Sequence, residues 1–253
     1  PKTVVAIVAS LASLGVPALM ASENWDDHDR SNRFVARDFG HNYLASCEKN
    51  AIIFSNGDND TFPLWYNQEV EGNRTDIRVC NLSYLQTDWY IDQMKRGAYE
   101  SEPLPISWKQ KDYISGQNEV LSVENKLNMP VEVKTAFELA RDPELKAGGE
   151  SYIPSNQLYI NIENKHLQAP GIYDTAMIAS AEDKLNINLS NKSRLTKSEL
   201  MVIEMLNENK WKRPVYFAVR VGDDYYLGMQ DYFRLTGMAY QVTPFSTKGN
   251  GAG

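Results

Sequence analysis

Two short acidic segments carry the side chains best suited to bind a ligand. Each segment directly follows an apolar run that reads as a buried strand: AIIF precedes SNGDND, and VYFAV precedes RVGDD. In open parallel sheets, ligands bind beyond the carboxyl ends of the strands, so these two loops are the first candidates for a site. With the neighbouring aromatic residues, the candidate binding residues are Asp58, Asn59, Asp60, Thr61, Trp65, Asp223, Asp224 and Tyr225.

Carboxylate and amide oxygens are the ligands that Ca²⁺, Mg²⁺ and Mn²⁺ prefer, which makes Asp58 and Asp60 candidate metal ligands. The same residue types also turn the chain and cap the next helix without binding anything. The spacing does not match a D-x-D-x-D-G calcium loop. The sequence therefore assigns no cofactor and leaves a divalent cation open.

A second charged cluster follows the apolar N-terminal segment directly. In it, His28 is a candidate acid or base, and Arg30 could pair with a phosphate or a carboxylate. The alternative is that the cluster only anchors a helix end among lipid headgroups. The membrane-proximal candidates are Trp25, Asp26, His28, Asp29 and Arg30, whereas His41 and His166 are predicted to be structural.

Several functional classes are disfavoured by what the sequence lacks. It has no G-x-S-x-G elbow, no P-loop, no G-x-G-x-x-G and no HExxH motif. The net charge of −7 and the absence of a Lys/Arg stripe argue against a nucleic-acid partner. Paired aromatic residues (65–66, 89–90 and 225–226) either pack in the core or offer flat faces to a sugar near the acidic loops.

The elements that must position these loops are read from apolar runs and helix signals. A helix over 32–47, capped by Asp29 or Ser31, leads into a strand at 51–54, and a helix starting near Pro63 leads into a second strand over 77–85. A capped helix over 197–209, a strand at 214–221, a helix over 225–237 and a final strand at 239–245 predict a second βαβ unit. The predicted fold is an α/β, Rossmann-like three-layer domain with a mostly parallel sheet. Turns are expected at Gly148, Gly149, Pro170 and Gly171, and Cys47 and Cys80 lie in apolar surroundings typical of buried thiols.

The start of the chain predicts a membrane span. No charged residue occurs from Thr3 to Ala21, a stretch close to the ~20 residues needed to cross a bilayer, and Pro17 should kink it. Lys2 before it and ENWDDHD after it orient the span with everything after residue 21 outside, which predicts an inner-membrane protein with a periplasmic domain. A cleaved signal peptide or a buried core helix remain alternatives. The expected division is a transmembrane helix at 1–22, an α/β domain at 23–245 and a flexible linker at 246–253.

Longer motifs carry a resemblance to a known family. The strings NWDDHDRSNRFVARD, GDNDTFPLWYNQEVEGNRTDIRVCNLSYLQTDWYIDQMK, KRPVYFAV and GDDYYLGMQDYFRLTGMAYQVTP resemble multi-pass bacterial membrane proteins with a domain of unknown function. Members of that family are similar to transmembrane protein O-mannosyltransferases of the glycosyltransferase-C class. The resemblance implies that Thr3 to Ala21 is the last span of a membrane module, and that the catalytic acid lies upstream of Pro1.

The function that the resemblance implies is an extracytoplasmic accessory domain that positions an acceptor protein or glycan near the membrane. The chain would contact the bilayer through residues 3–21 and a lipid-linked sugar through the parent protein. One alternative is a periplasmic glycan- or protein-binding scaffold with no part in transfer. The other is a metal-dependent hydrolase that uses Asp58, Asp60, Asp223 and His28 around one cation.

Overall fold

The computed structural model describes residues 2–142, 151–168 and 171–247 and divides the chain into two compact units, Pro1–Ala36 and Arg37–Gly253. The turns predicted at Gly148, Gly149 and Pro170 lie outside the described residues, as does the predicted linker from residue 248 onward. Gly171 is described and has a φ of 68°, the left-handed conformation that suits a turn.

The N-terminal unit contains a helix that is long and apolar enough to cross a membrane. It extends over Lys2–His28 with a mean hydropathy of 2.2 in its most apolar window, and none of that window is buried. The helix breaks at Leu14 into α1 (Lys2–Ser13) and α2 (Gly15–His28). Pro17 has no N–H to donate to the carbonyl of Ser13, which explains a break at this level. A membrane span and a signal sequence both fit these properties.

The second unit is built from eight helices and eleven strands among the described residues. Its helices are α3 (Val35–Ala45), α4 (Asp58–Glu69), α5 (Asp88–Met94), α6 (Gln110–Tyr113), α7 (Val133–Arg141), α8 (Asn164–Gln168), α9 (Thr175–Ala179) and α10 (Lys197–Asn209). Its strands are β1 (Ile52–Ser55), β2 (Arg78–Asn81), β3 (Val120–Val123), β4 (Val131–Glu132), β5 (Tyr152–Ile153), β6 (Gln157–Asn161), β7 (Lys184–Asn188), β8 (Arg194–Thr196), β9 (Val215–Ala218), β10 (Phe233–Thr236) and β11 (Ala239–Val242).

The strands form three mixed sheets. The largest has the order β10-β11-β9-β1-β2, in which β2, β1 and β9 are parallel, whereas β11 and β10 are antiparallel to their neighbours. The two smaller sheets have the orders β5-β3-β8 and β4-β6-β7, and each contains one parallel and one antiparallel pair. The prediction of a Rossmann-like domain with a mostly parallel sheet is therefore wrong, although the first βαβ unit is present.

The error comes from the segment after β9, which was predicted to be a helix over 225–237. The chain forms two 3-10 turns there, Asp223–Tyr226 and Gln230–Tyr232, and then the hairpin of β10 and β11. Leu227 (φ 52°) and Gly228 (φ 72°) are left-handed, which ends any helix at this point. Gly237 (φ 58°) opens the two-residue hairpin turn, a conformation that glycine adopts without strain.

The parallel strands at the centre of the large sheet are fully buried. All four residues of each of β1, β2 and β9 are buried, as expected for strands covered on both faces. Helices α3 and α4 approach very closely at Gly40, where an added Cβ would lie 2.3 Å from the carbonyl oxygen of Pro63. Helix α10 is buried along most of its length and begins with the capping box of Thr196 and Glu199, which confirms its predicted start.

Candidate functional site at the carboxyl edge of the central strands

The parallel pairing of β2, β1 and β9 brings three loops to one edge of the sheet. Ile52 is in register with Arg78 on one side and with Val215 on the other, so the three strands end at a similar level. The segments that leave them are 56–60 after β1, 82–86 after β2 and 219–224 after β9. We call this region the carboxyl edge. It contains both acidic loops predicted from the sequence.

A buried network of small polar groups closes the floor of the carboxyl edge. The Thr61 hydroxyl lies 2.8 Å from the Ser55 hydroxyl, donates to the Gly57 carbonyl and accepts a hydrogen bond from Asn81 Nδ2 at 2.9 Å. The network ties the first turn of α4 to the ends of β1 and β2. Thr61, predicted as a binding residue, is fully buried and therefore holds the loop in place.

Asp60 lies buried in the first turn of α4 without a hydrogen-bond partner for its Oδ1 atom. Only 3% of the residue is exposed. The nearest cation is Arg220, whose Nε lies 3.6 Å from Oδ1, beyond hydrogen-bonding distance. Burial raises the pKa of Asp60, and the charge of Arg220 opposes that shift. A buried carboxylate oxygen that accepts no hydrogen bond is a strained arrangement that a ligand donor would relieve.

Tyr43, on α3, is the second buried group of this edge that lacks a partner. The residue is completely inaccessible to solvent, and its hydroxyl makes no hydrogen bond. Burial raises its pKa to about 12, with a further contribution from the negative charge of Asp60. The side chains of Tyr43 and Asp60 thus interact electrostatically across the contact between α3 and α4.

A line of aromatic rings extends from the carboxyl edge over the protein surface. Phe62 stacks on Trp65 with ring centroids 5.7 Å apart, Trp65 stacks on Tyr84 at 6.1 Å, and Tyr84 meets Trp89 at 6.1 Å. We call these four residues the aromatic stack. Phe62 is 48% exposed and Trp89 is 55% exposed, which is unusual for rings of this size. The Tyr84 hydroxyl lies 3.4 Å from Asp58 Oδ1, so the stack begins beside the acidic loop.

The acidic loop after β9 lies near Lys192 and the start of α10. Asp224 is almost fully exposed, and its Oδ1 lies 4.0 Å from Lys192 Nζ. Tyr225 is half-buried, and its ring lies near Ser198 and Glu199 at the start of α10. Asp223 is exposed in the same 3-10 turn. The two predicted loops therefore share an edge, but Arg220 and not Asp223 is the residue that meets Asp60.

The described part of the chain contains no group of three or more His, Cys, Asp or Glu side chains that could hold a metal ion. Asp58 and Asp60 belong to no such group among the described residues. The charged group nearest to the candidate ligand Asp60 is the guanidinium of Arg220, and its positive charge would repel a metal cation.

The membrane-proximal candidates belong to the N-terminal unit, in which three of them make hydrogen bonds to neighbouring residues. His28 Nδ1 lies 2.9 Å from the Asn24 carbonyl, Arg30 donates to the Asp27 carbonyl, and Asp29 accepts the N–H of Ser31. Trp25 is 71% exposed, and Asp26 is also exposed. These contacts are typical of the last turn of a helix.

Four residues of the site were missed by the sequence reasoning. Phe62 and Tyr84 complete the aromatic stack, Tyr43 lies on the apolar face of α3, and Arg220 directly follows β9. Arg220 had a usable signal, because it leaves the same strand end as Asp223. Cys47 and Cys80 are free and buried, as their apolar flanks predict, and burial raises both pKa values to about 12.

Comparison with known families places this fold and site in context. The model of the family described as TMEM260-associated domain 2 matches residues 36–253. The chain belongs to the TMEM260-associated domain 2 family. This family is an accessory domain of membrane proteins whose function is unknown. No curated protein and no solved structure matches the chain. The match begins where the compact second unit begins, after the apolar helix.

Proposed function

We propose that this domain is the extracytoplasmic accessory domain of a multi-pass, protein O-mannosyltransferase-like membrane enzyme, and that its carboxyl edge holds a glycan or a glycosylated acceptor near the membrane. The observation that carries the proposal is the aromatic stack beside Asp58, whose two end rings, Phe62 and Trp89, are exposed. Sugar rings present apolar C–H faces and hydroxyl groups at the same time. Flat aromatic faces next to a carboxylate acceptor complement both.

The spacing of the stack fits an extended ligand better than a single small molecule. Three successive ring contacts of 5.7–6.1 Å extend from Phe62 through Trp65 and Tyr84 to Trp89. Phe62 and Trp89, the two ends of this line, are the most exposed, so a chain-like ligand could contact both. Exposed apolar surface is a feature of interaction sites, which supports a binding role for the stack.

The proposed location of the domain on the outer side of the membrane is supported by the charges that flank the apolar helix and by family membership. The helix Lys2–His28 has Lys2 at its start and the acidic string ENWDDHD at its end, which favours the domain on the outer side of the membrane. The family links the domain to membrane proteins. Sugar transfer itself is assigned to a membrane module upstream of this chain.

The test is a transfer and binding experiment on the parent membrane protein. Deletion of residues 37–253 should abolish or strongly reduce mannosyl transfer from a lipid-linked donor, while the membrane module stays folded by tryptic mapping. The double variant Phe62→Ala/Trp89→Ala should weaken binding of a manno-oligosaccharide by at least about tenfold. Tyr66→Ala is the matched control, because Tyr66 is exposed on the same helix but lies outside the stack.

Two results would contradict the proposal. Undiminished transfer by the deletion protein would remove the accessory role. Equal oligosaccharide binding by the double variant and by Tyr66→Ala would remove the aromatic stack as the binding surface, and would favour a scaffold that recognises protein alone.

A further inference from the structure

A cavity of about 240 Å³ lies beside the aromatic stack, between α4, α5 and the edge strand β2. Trp65 lines both the cavity and the stack. Further walls come from Ile77, Tyr90, Met94 and Tyr99. The cavity therefore shares Trp65 with the stack, and polar side chains such as Gln68 and Gln93 line it beside the apolar walls.

Arg78 lines this cavity and is a buried cation without a carboxylate partner. Only 5% of the residue is exposed, and no Asp or Glu among the described residues lies within ion-pair distance of its guanidinium. One terminal nitrogen donates to the carbonyls of Gln93 and Arg96 at the end of α5, 3.0 Å away in both cases. The Nε–H group has no hydrogen-bond partner. Its Nε–H is therefore a buried donor without an acceptor, and a carboxylate is the acceptor that a guanidinium binds most strongly.

The mouth of the cavity carries an exposed tyrosine and a carboxylate, whereas the buried part carries the cation of Arg78. Tyr99 is 65% exposed and donates its hydroxyl to Glu69, and both residues line the opening. Tyr99 also has a φ of 53°, a conformation in which a bulky residue is uncommon. A glycine would adopt this turn without strain, so an aromatic residue here indicates a use for the side chain.

We propose that this cavity binds a sugar ring that carries a carboxylate, such as a uronic acid at the end of a glycan. The ring would contact Trp65 and Tyr99, its carboxylate would pair with Arg78, and its hydroxyl groups would donate to Glu69 at the mouth. A simple anion would be repelled by the carboxylate of Glu69 at the mouth of the cavity. A neutral sugar would leave Arg78 without an ionic partner. The inference rests on the proposed function, because the cavity would hold one residue of the glycan that lies along the stack.

The test compares methyl glucuronide with methyl glucoside, two probes that differ only in the carboxylate. Binding is measured by saturation-transfer NMR with the full 253-residue chain in nanodiscs. We expect glucuronide to bind at least about tenfold more tightly than glucoside, a difference equivalent to one charge-assisted hydrogen bond. Arg78→Gln should abolish that preference.

Tyr99→Ala provides a variant that does not disturb the buried contacts of Arg78, and it should weaken glucuronide binding. Tyr66→Ala is its control, because Tyr66 is likewise an exposed tyrosine bonded to a glutamate, Glu71. Equal binding of the two probes, or glucuronide binding unaffected by Tyr99→Ala, would overturn the inference. In that case, retained manno-oligosaccharide binding that depends on Phe62 and Trp89 would leave the proposed function standing.

Discussion

The two ends of the same three parallel strands differ in which of their buried polar side chains are hydrogen-bonded. At the amino edge, the buried guanidinium of Arg213 donates to the carbonyls of Asn50, Ala51 and Glu102 and to the Ser101 hydroxyl. Arg74 there pairs with Asp76 and donates to three further carbonyls. At the carboxyl edge, Asp60 Oδ1 and the Tyr43 hydroxyl have no hydrogen-bond partner.

The difference teaches which buried polar groups hold the fold together and which are available to a ligand. A buried polar group without a partner destabilises the fold, so natural proteins retain it where another requirement applies. At the amino edge, Arg213 and Arg74 meet such a structural requirement, whereas Arg78 Nε and Asn50 Oδ1 there have no hydrogen-bond partner. The carboxyl edge combines unpaired groups with exposed aromatic rings, and this combination supports a binding role there.

Arg213→Ala should produce the largest loss of stability. The substitution removes one donor from each of three carbonyls and from one hydroxyl at the amino edge, and the residue is only 5% exposed. We expect the free energy of unfolding to fall by about 3–5 kcal/mol. Urea unfolding followed by circular dichroism measures this loss. A loss below about 1 kcal/mol would show that the amino edge is not a structural network.

Gly40→Ala should have the next largest effect, because it separates the two helices that carry Tyr43 and Asp60. The added methyl group would lie 2.3 Å from the Pro63 carbonyl oxygen and 2.6 Å from Asn67 Nδ2. We expect a loss of about 1–3 kcal/mol from the resulting shift of α3 against α4. Gly15→Ala is the control, since nothing lies within 4 Å of the Cβ that it adds.

Two buried tyrosines allow a direct comparison between a hydroxyl that is hydrogen-bonded and one that has no partner. Tyr90 accepts the backbone N–H of Asn81 at 2.9 Å, whereas the Tyr43 hydroxyl has no partner. Tyr90→Phe should lower the free energy of unfolding by about 1–2 kcal/mol. Tyr43→Phe should raise it by up to about 1 kcal/mol, because it removes a desolvated group that bonds to nothing. A similar loss in both variants would contradict the distinction between paired and unpaired groups.

Asp60→Asn should have the smallest effect, and the effect should depend on pH. Burial raises the pKa of Asp60 in the folded state above its ordinary value of 3.8, so the native state binds more protons than the unfolded state in the interval between the two values. Stability of the wild-type protein therefore falls as the pH rises through this interval. At neutral pH the variant should be the more stable protein, and its advantage should shrink as the pH falls toward 3.8.

The control for that titration is Asp58→Asn, because Asp58 is exposed in the same helical turn. Thermal unfolding of the three proteins between pH 4 and pH 8 provides the measurement. An advantage for Asp60→Asn that does not change with pH would indicate that the buried carboxylate is not the cause.

The sequence predicted the elements whose signals are local. The apolar runs of β1, β2 and β9 and the capped start of α10 match the structure. The strand after the second acidic loop was misjudged because Leu227 and Gly228 adopt left-handed conformations that a helical pattern conceals. Gly228 also packs against the Asn188 carbonyl, a contact between distant segments that no local pattern reveals.

The site was predictable in part for the same reason. The two acidic loops were placed at the correct edge because each follows a strand, and strand ends can be read locally. The contacts of Asp60 with Arg220 and of Trp65 with Tyr84 depend on which strands are neighbours, and the strand order was not readable from the sequence. The exposure of the aromatic stack is likewise a tertiary property, since the same residue types usually pack in the core.

Hydroxyl-radical footprinting with a manno-oligosaccharide tests the central claim most directly, because it reports the accessibility of individual aromatic rings. The ligand should protect Phe62, Trp65 and Trp89 from oxidation and leave the exposed Tyr66 unchanged. Oxidation of Phe62 and Trp89 that stays the same at saturating ligand would contradict the assignment of the carboxyl edge as the binding surface.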